Sequence, residues 1–366
     1  MQTFPPPRIY DALGLIMSYY PNHFTEQAKV EIETLLDHCL ETLHDDSEKF
    51  LSTLIIKALR KMIGTSGIDE HIYLKRYEIT QIELFNILIK EFPFVKWGHE
   101  IANTLICNKL KDSENAIIVD IGIGQGIQMV HLLQKLNSLP KIKNVTIIGI
   151  EPFIDALEAT GENFSRLKSQ VNYNLHFEPW NIFIENIKEA TFAEKLAPFN
   201  GEIIINASLA LHHIQTLDNR LQVMSVLRSP SPKGIVLVEP NIDHFEPDFN
   251  RRFHNCYQHF YHIFQVIDNL NIDQYTKNGL KLFFGREIED IIGHKNSERY
   301  EKHEPAFRWI EKLIHGGFAV QNNFLEKLPE VGSGIDLYFN ESGYLGFRYK
   351  SETVLSVIYA EPVHIA

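Results

Sequence analysis

Apolar positions recur through the first third of the chain at the spacing of amphipathic helices. Val30, Ile32, Leu35, Leu36, Cys39, Leu40 and Leu43 make one stripe, and Phe50, Leu51, Leu54, Ile55, Ala58, Leu59 and Met62 a second. Residues 64–67 carry turn chemistry, with a glycine at each end. A third stripe runs through Ile79, Ile82, Leu84, Phe85, Ile87, Leu88 and Ile89. Pro93 is expected to end it, and residues 101–105 to begin a further helix. The pattern thus predicts a helical layer over residues 10–108.

From Ile117 the period changes. Short apolar runs alternate with helical stripes, the signature of a mostly parallel sheet covered on both faces. The predicted strands are 116–119, 145–150, 172–177, 201–206 and 234–239. The alternation breaks between Asp243 and Lys302. There Phe249, Phe253, Tyr257, Phe260, Tyr261, Phe264, Ile267 and Leu270 repeat at helical spacing, as a packed insertion does. An insertion at this point lies over the carboxyl ends of the strands and can close a pocket. A helix through Trp309 and Leu313 follows, stopped by Gly316 and Gly317. Then come a predicted strand over 318–324 and two extended runs, 344–349 and 354–359, expected as an antiparallel pair at the sheet edge. The expected division is 1–108 as a helical cap, 109–242 as the first part of an α/β core, 243–302 as a helical insertion completing the cap, and 303–366 as the rest of the core.

The first predicted strand ends in Asp120 and runs into Gly122, Gly124 and Gly126, with a helical stripe behind them. Glycines in a strand-to-helix turn let a ligand approach the backbone. A dinucleotide fingerprint needs glycine or alanine three positions after the second glycine, and that position is Ile127. An acid followed by Gly-x-Gly-x-Gly instead looks like the first motif of S-adenosylmethionine-dependent methyltransferases, where the carboxylate can meet the cofactor's ammonium group. Glu151 ends the second strand about 25 residues after Gly126, near the position (about 20) at which such folds hold a ribose hydroxyl. Trp180 and Asn181, after the third strand, would flank an adenine ring, with Trp180 equally readable as packing. Asn206 and Leu209 leave the fourth strand beside the same crevice. The expected cofactor set is therefore Asp120, Gly122, Gly124, Gly126, Glu151, Asn181, Asn206 and Leu209. His213 and Glu239, leaving the fourth and fifth strands, are the candidate bases. His212 and His213 diverge by about 100° on a helix start, so one of them is expected to be structural and no metal pair is read from them.

Composition narrows the partners. The chain has 366 residues, 44% apolar and 22% charged, with a formal net charge of -12. This acidity argues against direct nucleic-acid binding, since that needs a basic face. The three cysteines are far apart, and no metal spacing or disulfide framework is read from them. No secretory pattern opens the sequence and no apolar run reaches membrane-spanning length, so a cytoplasmic location without membrane contact is expected. An export route without a signal leaves no trace in such a pattern.

The order of these pieces resembles the GRAS family, plant regulators that are also represented in bacteria. Asp120, Gly126 and Gln128 match the family's first-strand signature, and Leu209-Ala210-Leu211-His212-His213 its leucine–histidine motif. Pro232, Arg252-Phe253, Tyr261 and Arg286-Glu287-Ile288 follow in order. Residues 298–304 resemble its Arg-Val-Glu-Arg region, and Trp309 and Gly317-Phe318 come after. Met129 and residues 356–359 stand where plant members usually carry tryptophans. The long N-terminal segment of plant members has no counterpart here, so their regulatory partners are not carried over. Gly122 and Gly124, which plant members commonly lack, point to an enzyme-like, bacterial type. The resemblance implies a Rossmann-like methyltransferase core under a helical cap. Arg299, Glu301 and His303 are expected mainly as a charge network joining the two. Two functions remain: an S-adenosylmethionine-dependent methyltransferase acting on a small molecule between core and cap, with S-adenosylhomocysteine as product, or a non-catalytic GRAS-type binding module with a protein partner or as a homodimer.

Overall fold

The structure, a computed structural model, describes residue 14 and residues 26–41, 47–62 and 81–363. The turn expected at 64–67 and the start of the third stripe at Ile79 lie outside the described residues. Four helices come first: α1 (Glu26–Glu41), α2 (Ser47–Met62), α3 (Gln81–Glu91) and α4 (Pro93–Leu110). The second stripe is buried as its period predicts, with Leu51, Ile55 and Leu59 all inaccessible. Val30 of the first stripe is 63% exposed, so it falls outside the buried face. Pro93 does not merely end the third helix. It opens α4 at the first helical position, where its missing N–H removes no helical hydrogen bond and its ring presets φ. The fourth helix therefore begins eight residues earlier than its apolar stripe suggests.

The core alternates β1 (Asn115–Ile121), α5 (Ile127–Leu136), β2 (Asn144–Ile150), α6 (Ile154–Leu167), β3 (Asn174–Trp180), α7 (Glu189–Leu196), β4 (Glu202–Ser208), α8 (Leu217–Arg228) and β5 (Gly234–Pro240). The insertion is α9 (Phe249–Asp268) and α10 (Gln274–Gly293). The chain then returns through α11 (Ala306–His315), β6 (Phe318–Val320), β7 (Ile335–Phe339), β8 (Tyr344–Tyr349) and β9 (Glu352–Pro362). The sheet order is β3-β2-β1-β4-β5-β9-β8-β7, with β6 also paired to β9. Strands β1 to β5 are parallel, and β9 joins β5, β6 and β8 antiparallel. This is an α/β, Rossmann-like fold with terminal antiparallel strands. The predicted strand over 318–324 is shorter than expected, and β7 carries no signal strong enough to have been predicted.

Alternation along β1 sends Ile117, Val119 and Ile121 into one apolar cluster with α7, α8 and α11. Ala116 and Ile118 go into the other, which is continuous with α2, α4, α9 and α10. The helical layer therefore shares a core with one face of the sheet. Each Leu, Ile or Phe buried there contributes on the order of 1.5–3 kcal/mol. The chain moves outward from β1 to β3 and then back to β4, so the topological switch lies between β1 and β4, where open α/β folds bind ligands.

Candidate functional site

The glycine turn after β1 is built on three left-handed residues, with φ of 70° at Gly122, 54° at Gly124 and 72° at Gly126. Their surroundings differ. A Cβ on Gly122 would stand 2.6 Å from Ala210 Cβ, and one on Gly126 would stand 2.7 Å from Thr160 Cγ2. A Cβ on Gly124 meets nothing within 4 Å. Two of the glycines thus serve packing, and Gly124 presents bare backbone to open space. Its N–H donates to Glu151 Oε2 at 3.1 Å, and its carbonyl accepts from the Thr160 hydroxyl at 2.8 Å. Glu151 Oε1 also accepts from the N–H of Phe153 at 3.3 Å. Burial lifts the Glu151 carboxyl above its ordinary range, against the pull of these two N–H donors.

The parallel register sets Asn206 of β4 beside Asp120 of β1. Asn206 Nδ2 donates to Asp120 Oδ1 at 2.7 Å and exchanges longer bonds with Gln128, which in turn reaches Asn103. Asp120 is buried. Desolvation raises its carboxyl to about 7, against the Asn206 hydrogen bond, and the nearby Glu151 adds to the rise. Asp120 and Gln128 therefore belong to one buried network, of which Asn103 gave no sequence signal. Asn181, exposed, donates to the carbonyls of Glu151 and Pro152 and so ties the ends of β2 and β3. Trp180 lies inside β3, buried edge-on against Phe192. Its indole is core packing and does not form the wall of an adenine site.

Leu209 leaves β4 at φ 56°, an uncommon conformation for a branched side chain. Its N–H is held by the Val238 carbonyl at 2.8 Å. The chain then makes a 3₁₀ turn, Leu211–His213. Glu239 of β5 fixes this turn from below. One oxygen accepts the N–H groups of Ala210 (3.2 Å) and Leu211 (2.8 Å), and the other meets His212 Nδ1 at 2.6 Å. Glu239 is wholly buried with its carboxylate occupied by protein donors. The candidate base of β5 therefore does not reach the cavity, and the geometry gives it the positioning of His212.

Above the turn lies a cavity of about 470 Å³ between the carboxyl ends of β4 and β5 and helices α3, α4, α9 and α10. Leu88, Phe92, Phe94, Ile263, Phe284 and Leu355 form its apolar side. His212, His213, His259, Arg286, Glu287, Asp290, Glu301 and His303 form its polar side. Leu209 lines it, whereas Asp120 and the three glycines do not. Both histidines of the motif line it, so the expectation that one of them turns away is corrected. A tight turn, with the two rings 4.1 Å apart, replaces the helix start on which that expectation rested. Glu301 and His303 also line the cavity, so they do more than join cap to core. Arg299 is buried and donates to the His244 carbonyl and to Asn296, as a structural cation does.

These groups form one relay. His212 Nε2 and His303 Nε2 each lie 3.3 Å from Glu301 Oε2, and His303 Nδ1 lies 2.7 Å from His244 Nδ1. Burial opposes charge on His212, but Glu239 and then Glu301 outweigh it and push the imidazole up to about 10. His213 reaches the cavity with its side chain 49% exposed. The surrounding protein and then the charge on His212 hold it down to about 4. The Glu287 carboxyl is driven well above its usual range by burial, then by Glu301. Asp290 accepts the N–H groups of Tyr300 and Glu301 and so holds Glu301 against α10. Beneath, Arg220 pairs with Glu304 and donates to the carbonyls of His212, Ile214 and Lys302, clamping the turn to the returning chain. Arg220, His244 and His259 were not singled out from sequence, because a lone arginine or histidine in a helix or turn carries no spacing signal.

The GRAS domain family matches residues 22–326. The chain belongs to the GRAS domain family. Among its relatives, chitin-inducible gibberellin-responsive protein 2 of Oryza sativa subsp. japonica is 28% identical over 293 residues, 73% of this chain and 52% of that protein. Scarecrow-like protein 5 of Arabidopsis thaliana is 27% identical, over 73% of this chain and 47% of that protein. This GRAS chain thus spans about half the length of the curated relatives it matches. The crystal structure of SCL7 from Oryza sativa superposes with a TM-score of 0.78 at 18% identity, covering 97% of this chain and 100% of that one, a likeness of fold. Among the described residues of this GRAS domain, no helix is long and apolar enough to cross a membrane.

Proposed function

We propose that this GRAS domain is an S-adenosylmethionine-dependent methyltransferase whose small-molecule acceptor binds in the cavity between the sheet and the helical layer. The observation that carries this reading is Gly124: left-handed, bare and open, at the switch point between β1 and β4. Packing explains its two neighbours and leaves it without a structural partner for its missing side chain. The residues around it fit the cofactor. Asp120 keeps Oδ2 beyond its bond to Asn206, Glu151 keeps lone pairs beyond its two N–H donors, and Asn181 and Leu209 border the same strand ends. When bound, the cofactor supplies a methyl group on a sulfonium, and S-adenosylhomocysteine is the product.

The protein's share is positioning, exclusion of water and removal of a proton from the acceptor. His213 is neutral near pH 7 and open to the cavity, so its imidazole can accept that proton. Glu301 Oε1, 3.8 Å from His213 Nδ1, would stabilise the cation so formed. Glu239 acts one step away, by holding His212 and the turn. A cytoplasmic location suits the buried free thiols of Cys107 and Cys256.

One observation favours the second reading, a non-catalytic binding module. Ala210 closes over Gly122, narrowing the crevice at that end of the glycine turn. Calorimetric titration with S-adenosylhomocysteine separates the two. Micromolar binding by the wild type that is lost in Gly124→Val supports the methyltransferase. A folded wild type that does not bind turns the assignment to the binding module.

A further inference from the structure

We propose that His212, Glu301 and His303 form a binding site for a divalent transition-metal ion of the zinc and iron(II) class, opening into the cavity. One donor atom from each of the three lies within 4.8 Å of the others. Both Nε2 atoms stand 3.3 Å from the same oxygen, Glu301 Oε2. A tetrahedral ion with bonds of about 2.0–2.1 Å has ligand-to-ligand edges of about 3.3 Å, so these separations suit a shared ion. Two imidazoles and one carboxylate with open positions are the donor set of such metals, and too rich in nitrogen for magnesium or calcium.

The far sides of both rings are arranged as metal-bound histidines require. His212 Nδ1 is held by Glu239 Oε2 at 2.6 Å, and His303 Nδ1 by His244 Nδ1 at 2.7 Å. A ligating histidine is oriented by an acceptor behind it, which fixes the tautomer and directs the other nitrogen at the ion. Arg286 and Glu287 of α10 line the same wall. All three ligands line the cavity, so the open coordination positions face it, and a small molecule with a hydroxyl or carboxylate oxygen could complete the shell.

A ligating imidazole must be neutral, so binding competes with protons and tightens as pH rises. The test uses the full chain, stripped with a chelator and titrated with Zn²⁺ alone. One equivalent bound is expected. Glu301→Gln, which keeps the size of the side chain, should weaken binding at least about 10-fold, and Glu239→Gln by about 10–100-fold. Co²⁺ added to the wild type gives a reading independent of any variant: visible bands of a nitrogen and oxygen ligand field without thiolate charge transfer. A folded wild type that binds no Zn²⁺ at millimolar concentration overturns the site. So does a folded Glu301→Gln that binds as the wild type does. No methyl donor enters these experiments, so they fail or succeed separately from the proposed methyl transfer.

Discussion

Alanine at each of the three turn glycines tests whether Gly124 is held for a ligand and its neighbours for packing. All three positions have φ between 54° and 72°, so each alanine incurs the left-handed penalty of about 1–2 kcal/mol. At Gly124 nothing more is added, because the new methyl group meets open space. At Gly126 it would lie 2.7 Å from Thr160 Cγ2 and 3.3 Å from Phe164 Cε1. Overpacking of that kind adds about 1–3 kcal/mol. Thr160 cannot yield freely, since its hydroxyl is shared between the carbonyls of Gly124 and Ala156. At Gly122 the obstacle is Ala210 Cβ at 2.6 Å, on a turn already pinned by Glu239. The expected losses are therefore about 1–2 kcal/mol for Gly124→Ala and about 2–5 kcal/mol for Gly122→Ala and Gly126→Ala. Urea unfolding followed by circular dichroism measures them. Gly124→Ala should also lose affinity for S-adenosylhomocysteine while remaining folded. Equal losses at 124 and 126 would refute the division of the turn into a packed part and an open part.

Three other outcomes follow from the buried charges. His99 is buried and burial holds it down to about 4. The folded state therefore favours its neutral form. The stability this confers is complete above pH 6.5 and is lost as pH falls to about 4, a change of about 3 kcal/mol. Urea midpoints should drop over that window, and less so in His99→Leu. His212, at about 10, should stay protonated through neutral pH in a histidine NMR titration, with its stabilising contribution complete below pH 6.5 and lost as pH rises through 10. Glu239→Gln should bring that value down, and an unchanged titration would show that the carboxylate does not set the charge. Arg220→Met should cost about 1–3 kcal/mol, by leaving the buried carbonyls of His212, Ile214 and Lys302 without their donor while Glu304 keeps Lys312 as its cation. Arg220→Lys should rescue little of this, because an ammonium cannot span the carbonyls of His212, Ile214 and Lys302.

The α/β alternation from 116 to 240 was legible because the inner strands β1, β2, β4 and β5 bury most of both faces and each helix only one, so the period of apolar residues changes at their boundaries, whereas the edge strand β3 is half exposed. Where one strand is short or half exposed, that contrast fades. Ile335–Phe339 buries only Ile335 fully and was not predicted, and 318–324 contracts to Phe318–Val320. Pro93 shows a different limit. A proline ends one helix or begins the next, and the stripe on its carboxyl side had to decide. In α4 the first turn is buried by tertiary packing, not by an amphipathic period, so the stripe appeared to start late.

The site divides along the same line. Glycines announce a turn because their conformation is a local demand, and all three proved to be left-handed. What each glycine is for depends on atoms far along the chain, Ala210 for one and Thr160 for another, and no spacing encodes that. The histidines are the sharper case. The chain has 17 of them, and the sequence drew notice to His212 and His213 as site candidates and to His303 only as part of a charge network. The polar wall of the cavity is completed by His259 on the insertion and by Glu301 and His303 beyond it, brought together by the return of the chain over β5. An element that reads as aromatic packing, α9, thus delivers one of its members. His244 reaches the same cluster from the loop between β5 and α9, behind His303. Buried imidazoles are costly unless the fold supplies partners for them, and here the partners are other members of the cluster, from Glu239 through His212 and Glu301 to His303 and His244. The chain thus gathers these titratable groups around one cavity, above the turn that Glu239 holds and apart from the glycines after β1.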